Sequence, residues 1–396
     1  MTRAPARQHT GRPLVAALGL MFGPAVSLGL GRFAYALVLP PMRSALHWSY
    51  ATAGAMNTAN ALGYLAGAFL AAPVATRFGE RRSFVVSFAL VAVSLAASAA
   101  SGDAVFLLVL RLVSGAAGAV CLVVGGGLTA QVGREESRRT ATFLLTVYFT
   151  GSGVGVLVSG LALPAVLAEA GWRGAWLVLG GLSALAMLAA VPAARRVPET
   201  RAPAERSRER LPVRRLAMLL TAYGLFGAGY IAYMTFIVAY LQSAGAGRSE
   251  IALFWGVLGV GSVLGGFLWR PPVNGLPGGV PSALVLAEVA LGALLPVISS
   301  GAAASFLSAA LFGTSFLVVI TAVTAAARDC LPEHHWTAGI AALTVAFALG
   351  QCVGPVLSGV LADGPGGMAS GLLSGAVLVV LAALSAVLHR GEAQRV

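Results

Sequence analysis

Apolar stretches of 18 residues or more recur along the whole of this 396-residue chain, and its charges fall almost entirely in the gaps between them. A helix rises 1.5 Å per residue, so each stretch is long enough to cross a hydrocarbon layer about 30 Å thick. Inside such a layer the backbone must satisfy its own hydrogen bonds, and runs of this length do so as helices. Composition agrees: 58% of the residues are hydrophobic and 10% charged, against roughly 25% charged in soluble domains. We read twelve spans, at 13–40, 50–73, 83–101, 104–131, 141–164 and 172–192, then 216–242, 250–269, 280–299, 302–327, 337–362 and 368–388. The first is too long for the apolar region of a signal peptide and lacks a small-residue cleavage site.

Arginine placement sets the expected topology. The 26 basic residues are all arginine. With both termini placed in the cytoplasm, 21 fall in cytoplasmic segments, three (Arg43, Arg173 and Arg248) face the opposite side, and two, Arg32 and Arg111, lie inside spans. This is the positive-inside pattern of a cytoplasmic-membrane protein. It gives the net charge of +12 a topological cause and removes the reason to invoke nucleic acid. The three cysteines, Cys121, Cys330 and Cys352, lie in or beside spans and form neither a disulfide framework nor a metal-ligand pattern.

One long polar stretch, residues 193–215, is rich in Arg, Glu and Pro and reads as a cytoplasmic linker. It separates an N-terminal six-helix bundle, 1–192, from a C-terminal one, 216–396. The halves repeat. Displacing the chain by 198 residues sets Gly29, Gly31, Ala34 and Tyr35 on Gly227, Gly229, Ala232 and Tyr233, with Arg32 on Tyr230. The same displacement sets Gly63 and Gly67 on Gly261 and Gly265, and a displacement of 199 sets "GSGVGVLVSG" (151–160) on "GQCVGPVLSG" (350–359). Two parallel repeats with a site at their interface are the plan of a large class of secondary transporters.

The loop "APVATRFGERRS" (72–83) resembles the G-x-x-x-D-R-x-G-R-R signature of the major facilitator superfamily through Arg77, Gly79, Arg81 and Arg82, with Ala72, Thr76 and Glu80 departing from it. In that family the acid and the arginines link helix ends in one conformational state; with Thr76 replacing the acid, that link is not expected in the same form. "LLVLRLVSGAAGAV" (107–120) is similar to the family's fourth-helix motif, an intramembrane arginine followed by glycines four and seven residues on, here Arg111, Gly115 and Gly118. The spacing puts all three on one helical face, and the resemblance gives Arg111 a part in coupling. Trp172-Arg173 at the start of span six is another common feature of the family. Span five lacks the Gly-Pro of the antiporter signature, which span eleven has at Gly354-Pro355; this tells against drug/proton antiport. "GLGRFAY" (29–35) with Leu39-Pro40-Pro41-Met42 further resembles a bacterial subfamily whose members are largely uncharacterised.

An arginine at a helix centre costs roughly 2.5–3.5 kcal/mol on insertion scales, so two of them need a reason. Arg32 lies eight residues before Pro40 on an outward-running span, and Arg111 eight after Asp103 on an inward-running one. Both therefore sit about 12 Å below the outer face. The resemblance implies that spans one and four line a central cavity, where two guanidiniums would attract an anion and match carboxylate or phosphate oxygens. Competing readings are that Arg111 braces helices through backbone carbonyls and that Arg32 snorkels to the interface.

The reading is an all-α polytopic membrane protein of twelve helices in two bundles. By the resemblance it is a secondary active transporter of a small organic anion, working by alternating access as a proton-coupled symporter. Candidate substrate-binding residues are Arg32, Tyr35, Asn57, Asn60, Arg111, Tyr148, Tyr230, Tyr233 and Gln351. Candidate coupling or gating residues are Arg111, Arg77, Gly79, Arg81, Arg82 and Glu288, the last being the one carboxylate well inside a span. No enzyme activity, cofactor, metal or nucleic acid is expected, and the chain is read as a monomer in the bilayer. Export of amphipathic or cationic compounds, and a non-transporting sensor or scaffold, are the alternatives. "GSGVG" (151–155) follows no strand and is not a dinucleotide loop, there is no lysine for a phosphate loop, and "EHHW" (333–336) lacks helical metal-ligand spacing.

Overall fold

In a computed structural model, residues 13–134, 136–198, 212–276, 278–299, 301–332 and 335–389 are described. Ten helical segments are long and apolar enough to cross a membrane. One of them, 59 residues long, carries non-helical geometry at Gly171 (φ 62°) and is two spans joined at that residue. With this split, and with the 18-residue Glu80–Ala97, the ten become the expected twelve. We label them α1 Pro13–Leu46, α2 Tyr50–Phe78, α3 Glu80–Ala97, α4 Ala104–Val132, α5 138–170, α6 172–196, α7 Val213–Ser243, α8 Arg248–Leu268, α9 Val280–Ile298, α10 Ala302–Cys330, α11 Trp336–Asp363 and α12 Gly367–Val387. Most of the linker read at 193–215 falls outside the described residues; its ends extend α6 to Arg196 and open α7 at Val213. We call the side where α1 begins and α12 ends the terminal face, and the opposite side the far face.

Helix starts follow from capping side chains. Ser49, Asp103 and Ser137 accept hydrogen bonds from the Thr52, Phe106 and Thr140 amides at 3.0, 2.8 and 3.2 Å, satisfying donors that α2, α4 and α5 cannot satisfy internally. Span one differs from expectation at its end: the helix runs through Pro40 and Pro41 to Leu46 and stops at His47, whose φ is 53°. Proline inside a membrane helix is tolerated where neighbours meet the freed carbonyls, so the two prolines are interior positions and Arg43 belongs to the last turn.

Packing follows the small residues. A Cβ on Gly63, Gly67 or Gly115 would overlap the backbone of Leu112, Ala116 or Asn60, so α2 and α4 approach backbone to backbone. Large apolar side chains such as Phe69, Leu161 and Leu188 instead face outward, as a lipid-facing surface requires. The first six helices meet the last six along α2 with α11, α5 with α8, and α1 with α7. Among the described residues five hydrogen bonds join them: the Tyr50 and Ala51 amides to the two Asp363 carboxylate oxygens, both 2.9 Å, Asn57 Nδ2 to Thr235 Oγ1 at 2.7 Å, Thr58 Oγ1 to the Cys352 carbonyl at 2.8 Å, and Trp255 Nε1 to Ser159 Oγ at 3.1 Å. Tyr50 adds an edge-on contact with Phe236 at 6.1 Å, and Arg43 stacks over Tyr50 at 3.7 Å. All of these lie at mid-depth or toward the far face, which they close.

Candidate functional site

The middle of α1 is not α-helical. Residues Ala25–Phe33 form a π-helix, ending with the Ala34 amide on the Gly29 carbonyl at 2.9 Å. Pro24 precedes it, and Gly29 lets this wide segment lie against Gly155 of α5, where a Cβ at Gly29 would sit 2.5 Å from the Gly155 Cα. Such i→i+5 windings are rare and gather at functional sites. Arg32 and the Gly31 carbonyl are carried by this segment.

Arg111 of α4 is 2% exposed and is held on several sides. Its Nη1 donates to the Gly31 carbonyl at 2.7 Å and its Nη2 to Asn57 Oδ1 at 3.1 Å. Its guanidinium lies 5.1 Å from the Tyr35 ring centroid and 5.7 Å from that of Trp176, and those two rings stack at 6.3 Å. Asn57 Nδ2 donates to Thr235 Oγ1 at 2.7 Å, and the Thr235 hydroxyl donates to the Ile231 carbonyl at 2.5 Å. A one-way chain of donors thus runs from α4 through α2 to α7, from the first six helices into the last six. Asn60 supports it by donating to the Arg111 carbonyl at 3.1 Å, and Tyr35 anchors α1 to α2 through its hydroxyl on the Ala53 carbonyl at 3.0 Å.

Arg32 is placed differently. It too is 2% exposed, so it does not snorkel, yet its Nε and Nη2 have no hydrogen-bond partner. These two nitrogens share one edge of the guanidinium and form the side-on fork that fits the two oxygens of a carboxylate. The guanidinium carbon stands 5.6 Å from the Tyr64 ring centroid. Leaving such donors unmet in a dry interior is costly. Ser27 Oγ, Ser114 Oγ, Arg111 Nε and Gln351 Oε1 are likewise buried without partners, and they lie on α1, α4 and α11.

In the last six helices aromatic rings gather around Tyr230. Tyr230 of α7, the repeat counterpart of Arg32, stacks with Phe226 at 4.8 Å, Phe347 at 5.5 Å and Phe316 at 6.2 Å, all within 22° of parallel. Its hydroxyl accepts from Gln351 Nε2 at 2.5 Å. Phe316 lies at the interruption between Ala302–Ser315 and Val318–Cys330 in α10, and Phe33 meets it edge-on at 5.6 Å. Arg32 is within electrostatic reach of Tyr230.

The other sequence candidates make contacts of their own, and Tyr233 joins the ring cluster through Phe312, which stacks on Phe316 at 5.3 Å. Tyr148 donates to the Leu122 carbonyl at 2.8 Å within the first six helices. Tyr233 pairs with Ser308 Oγ at 2.6 Å and stacks on Phe312 at 4.0 Å. Glu288 of α9 accepts from Thr314 Oγ1 at 2.7 Å. In the 72–83 loop, Gly79 takes a φ of 84° to join α2 to α3, Arg81 Nε donates to the Val197 carbonyl at 2.7 Å, and Glu80 accepts from Gln131 Nε2. Arg77 lies over Phe78 at 5.6 Å, and Arg82 lines an outer groove between α2, α3 and α4. Among the described residues no group of His, Cys, Asp and Glu is suited to hold a metal. Tyr64, Trp176, Thr235 and the ring cluster were not foreseen. Tyr64 had a signal, since it continues the i, i+3, i+7 face begun by Asn57 and Asn60.

A family model described as "Uncharacterised MFS-type transporter YbfB" matches residues 24–387. No curated protein matches the sequence. Among solved structures, a bacterial homologue of the human lysosomal transporter Spinster, in an inward-facing and occupied conformation, superposes with a TM-score of 0.74 at 16% identity, covering 98% of this chain and 97% of that one. The nucleoside transporter NupG superposes with a TM-score of 0.71 at 13% identity, covering 95% of this chain and 98% of that one. At these identities the likeness is one of fold.

Proposed function

The chain belongs to the YbfB family of MFS-type transporters, and from that premise we propose that it carries a small organic anion across the cytoplasmic membrane by alternating access, in symport with protons. One observation supports the anion above all: the Nε–Nη2 fork of Arg32, buried and unpaired. A fixed positive charge in a water-poor interior is stabilised most by an anion that accepts from both nitrogens. The two sequence-identified arginines then divide the work. Arg32 binds, while Arg111, engaged with Gly31 and Asn57, ties the winding of α1 to the donor chain that enters α7.

Residues 13–192 and 216–390 would be the rocking bodies, each a single copy in the membrane with the arginine-rich loops and both termini in the cytoplasm. In the conformation described the far face is shut, so the transported ion would next communicate with the terminal side. The proton site is assigned to Glu288, the carboxylate inside a span, with the 72–83 loop (Arg77, Gly79, Arg81, Arg82) as the cytoplasmic gating element. Export of cations has less support, because an acid beside Arg32 would be needed and Glu288 is bonded to Thr314 on α9 and α10.

The test is transport in proteoliposomes. Truncating one partner of a buried hydrogen-bonded charge pair costs roughly 2–5 kcal/mol, or about 30-fold to several thousand-fold in affinity at 1.4 kcal/mol per tenfold. Arg32→Ala should lose anion uptake by that factor, and Glu288→Gln should abolish its dependence on a proton gradient. Uptake by Arg32→Ala at the wild-type rate, or a best substrate that is a cation, would overturn the reading.

A further inference from the structure

We propose that the outer groove between α2, α3 and α4 is a site for one anionic phospholipid, with an acyl chain lying in the groove and the headgroup phosphate on Arg82. The groove faces lipid on the outside of the first six helices, so its occupant is independent of what Arg32 binds. Its volume, about 440 Å³, is that of a ligand site. Along α2 it extends from Phe78 at the terminal face to Gly67, a rise of about 16 Å. That is half of a hydrocarbon layer about 30 Å thick, the depth of one leaflet.

The repeat sets this groove apart. Displacement by 198 residues relates α2, α3 and α4 to α8, α9 and α10: Gly67 packs on the Ala116 backbone as Gly265 packs on that of Thr314, and the buried pairs 83–84, 87–88 and 91–92 of α3 recur at 281–282, 285–286 and 289–290 of α9. In this register Leu90 and Ala116, which line the groove, correspond to Glu288 and Thr314, whose side chains bond to each other at 2.7 Å. Trp269, at the end of α8, bonds Glu288 as well. Polar side chains thus bridge α8, α9 and α10 where apolar ones leave a gap among α2, α3 and α4. Arg82, in turn, corresponds to Val280. The apolar lining and the cation at its mouth change together between the halves, as a ligand with an apolar body and an anionic head requires.

The mouth is basic. Arg82 is exposed, and Arg77, also exposed, lies over Phe78 at 5.6 Å. Glu80, the only acid of the 72–83 loop, accepts from Gln131 Nε2 on α4. Basic pockets between membrane helices at a bilayer face bind anionic headgroups, and a guanidinium pairs well with phosphate oxygens. A phospholipid brings both the phosphate and a chain to cover the apolar walls; a free phosphate leaves those walls uncovered.

Native mass spectrometry of the purified full-length protein at fixed salt counts the bound lipid. The probes are phosphatidylglycerol, phosphatidylcholine with the same acyl chains, and glycerol 3-phosphate. We expect the first phosphatidylglycerol to half-saturate the protein at about tenfold lower concentration than the first phosphatidylcholine. Arg82→Gln should bring the two lipids level, whereas Arg139→Gln, at an exposed arginine opening α5 on the same face, should keep the gap. Leu90→Trp, which fills the groove, should weaken both lipids by about tenfold. Equal binding of the two lipids by wild type, a gap that survives Arg82→Gln or is lost in Arg139→Gln, or wild-type lipid binding by Leu90→Trp overturns the proposal. Displacement of the lipid by glycerol 3-phosphate at similar concentration also overturns it, since the site would then be one for a free phosphate.

Discussion

Asp363, at the far end of α11, receives the amides of Tyr50 and Ala51 on separate carboxylate oxygens at 2.9 Å each, and so joins the two halves where Ser49 already caps α2. Replacing it with Asn keeps one acceptor oxygen and removes the charge. The site is exposed, so the interaction is that of an anion at a helix N-terminus in partial contact with water. Such interactions are worth about 0.3–1 kcal/mol at the surface and up to about 2 in favourable geometry. With one hydrogen bond also weakened, Asp363→Asn should raise the ratio of far-open to far-closed protein by about 5- to 30-fold, for a loss of about 1–2 kcal/mol. Ala53→Cys supplies the reporter, since Ala53 is fully buried one turn into α2; the native cysteines are replaced to silence the background. A membrane-impermeant maleimide added from the far side should label Asp363→Asn faster by that factor. Wild type in 1 M salt should move the same way by less, as the Debye length falls to about 3 Å. Equal labelling rates in folded wild type and Asp363→Asn would show that this contact does not hold the far face shut.

Two more predictions come from the packing. Thr235→Val strands the Asn57 amide, and Arg111→Lys cannot serve both Gly31 and Asn57. A double-mutant cycle on transport rate should therefore show non-additivity of about 0.5–3 kcal/mol, and strict additivity would break the donor chain as a unit. Gly155→Ala should lower thermal stability sharply, because its Cβ would overlap the Ala25 carbonyl, whereas Gly127→Ala, with nothing within 4 Å, should be close to neutral; similar melting temperatures would contradict the close approach of α1 and α5.

The spans were legible because burial in lipid writes itself into hydropathy over a whole helix, and the boundary errors fell where geometry is local. Pro40 and Pro41 look like a stop in sequence, yet the helix continues past them to Leu46. Gly63 and Gly67 stand out in sequence as positions repeated in the second half, and Gly115 as a place for close approach beside Arg111; that these glycines meet in an α2–α4 seam comes from the structure. The two intramembrane arginines stand out in the sequence, but nothing in composition distinguishes the one with occupied Nη groups from the one with unpaired Nε and Nη2. That difference is decided by a carbonyl, Gly31, and carbonyls leave no trace in a sequence. A tyrosine reads alike on a cavity wall and in a helix seam, so the sequence alone does not separate Tyr230, bonded to Gln351, from Tyr148 and Tyr233, bonded to the Leu122 carbonyl and to Ser308. Asp363 was overlooked because its partners are main-chain amides 312 and 313 positions away.

The winding of α1 carries one further consequence, and it concerns phase. In a uniform α-helix successive residues step by 100°, so removing one residue turns everything beyond it to a different face. Over Ala25–Phe33 the chain is wound wider, and each i→i+5 turn takes in about one residue more than an α turn. The half of α1 that meets α5 and the half that meets α7 are therefore out of step by more than a residue, and a single period cannot describe both. This span holds a reserve of angle: tightening those turns would rotate one end against the other without breaking the helix. It also makes α1 the one span among the described residues in which losing a residue can be absorbed by rewinding, so that its two faces keep their separate alignments.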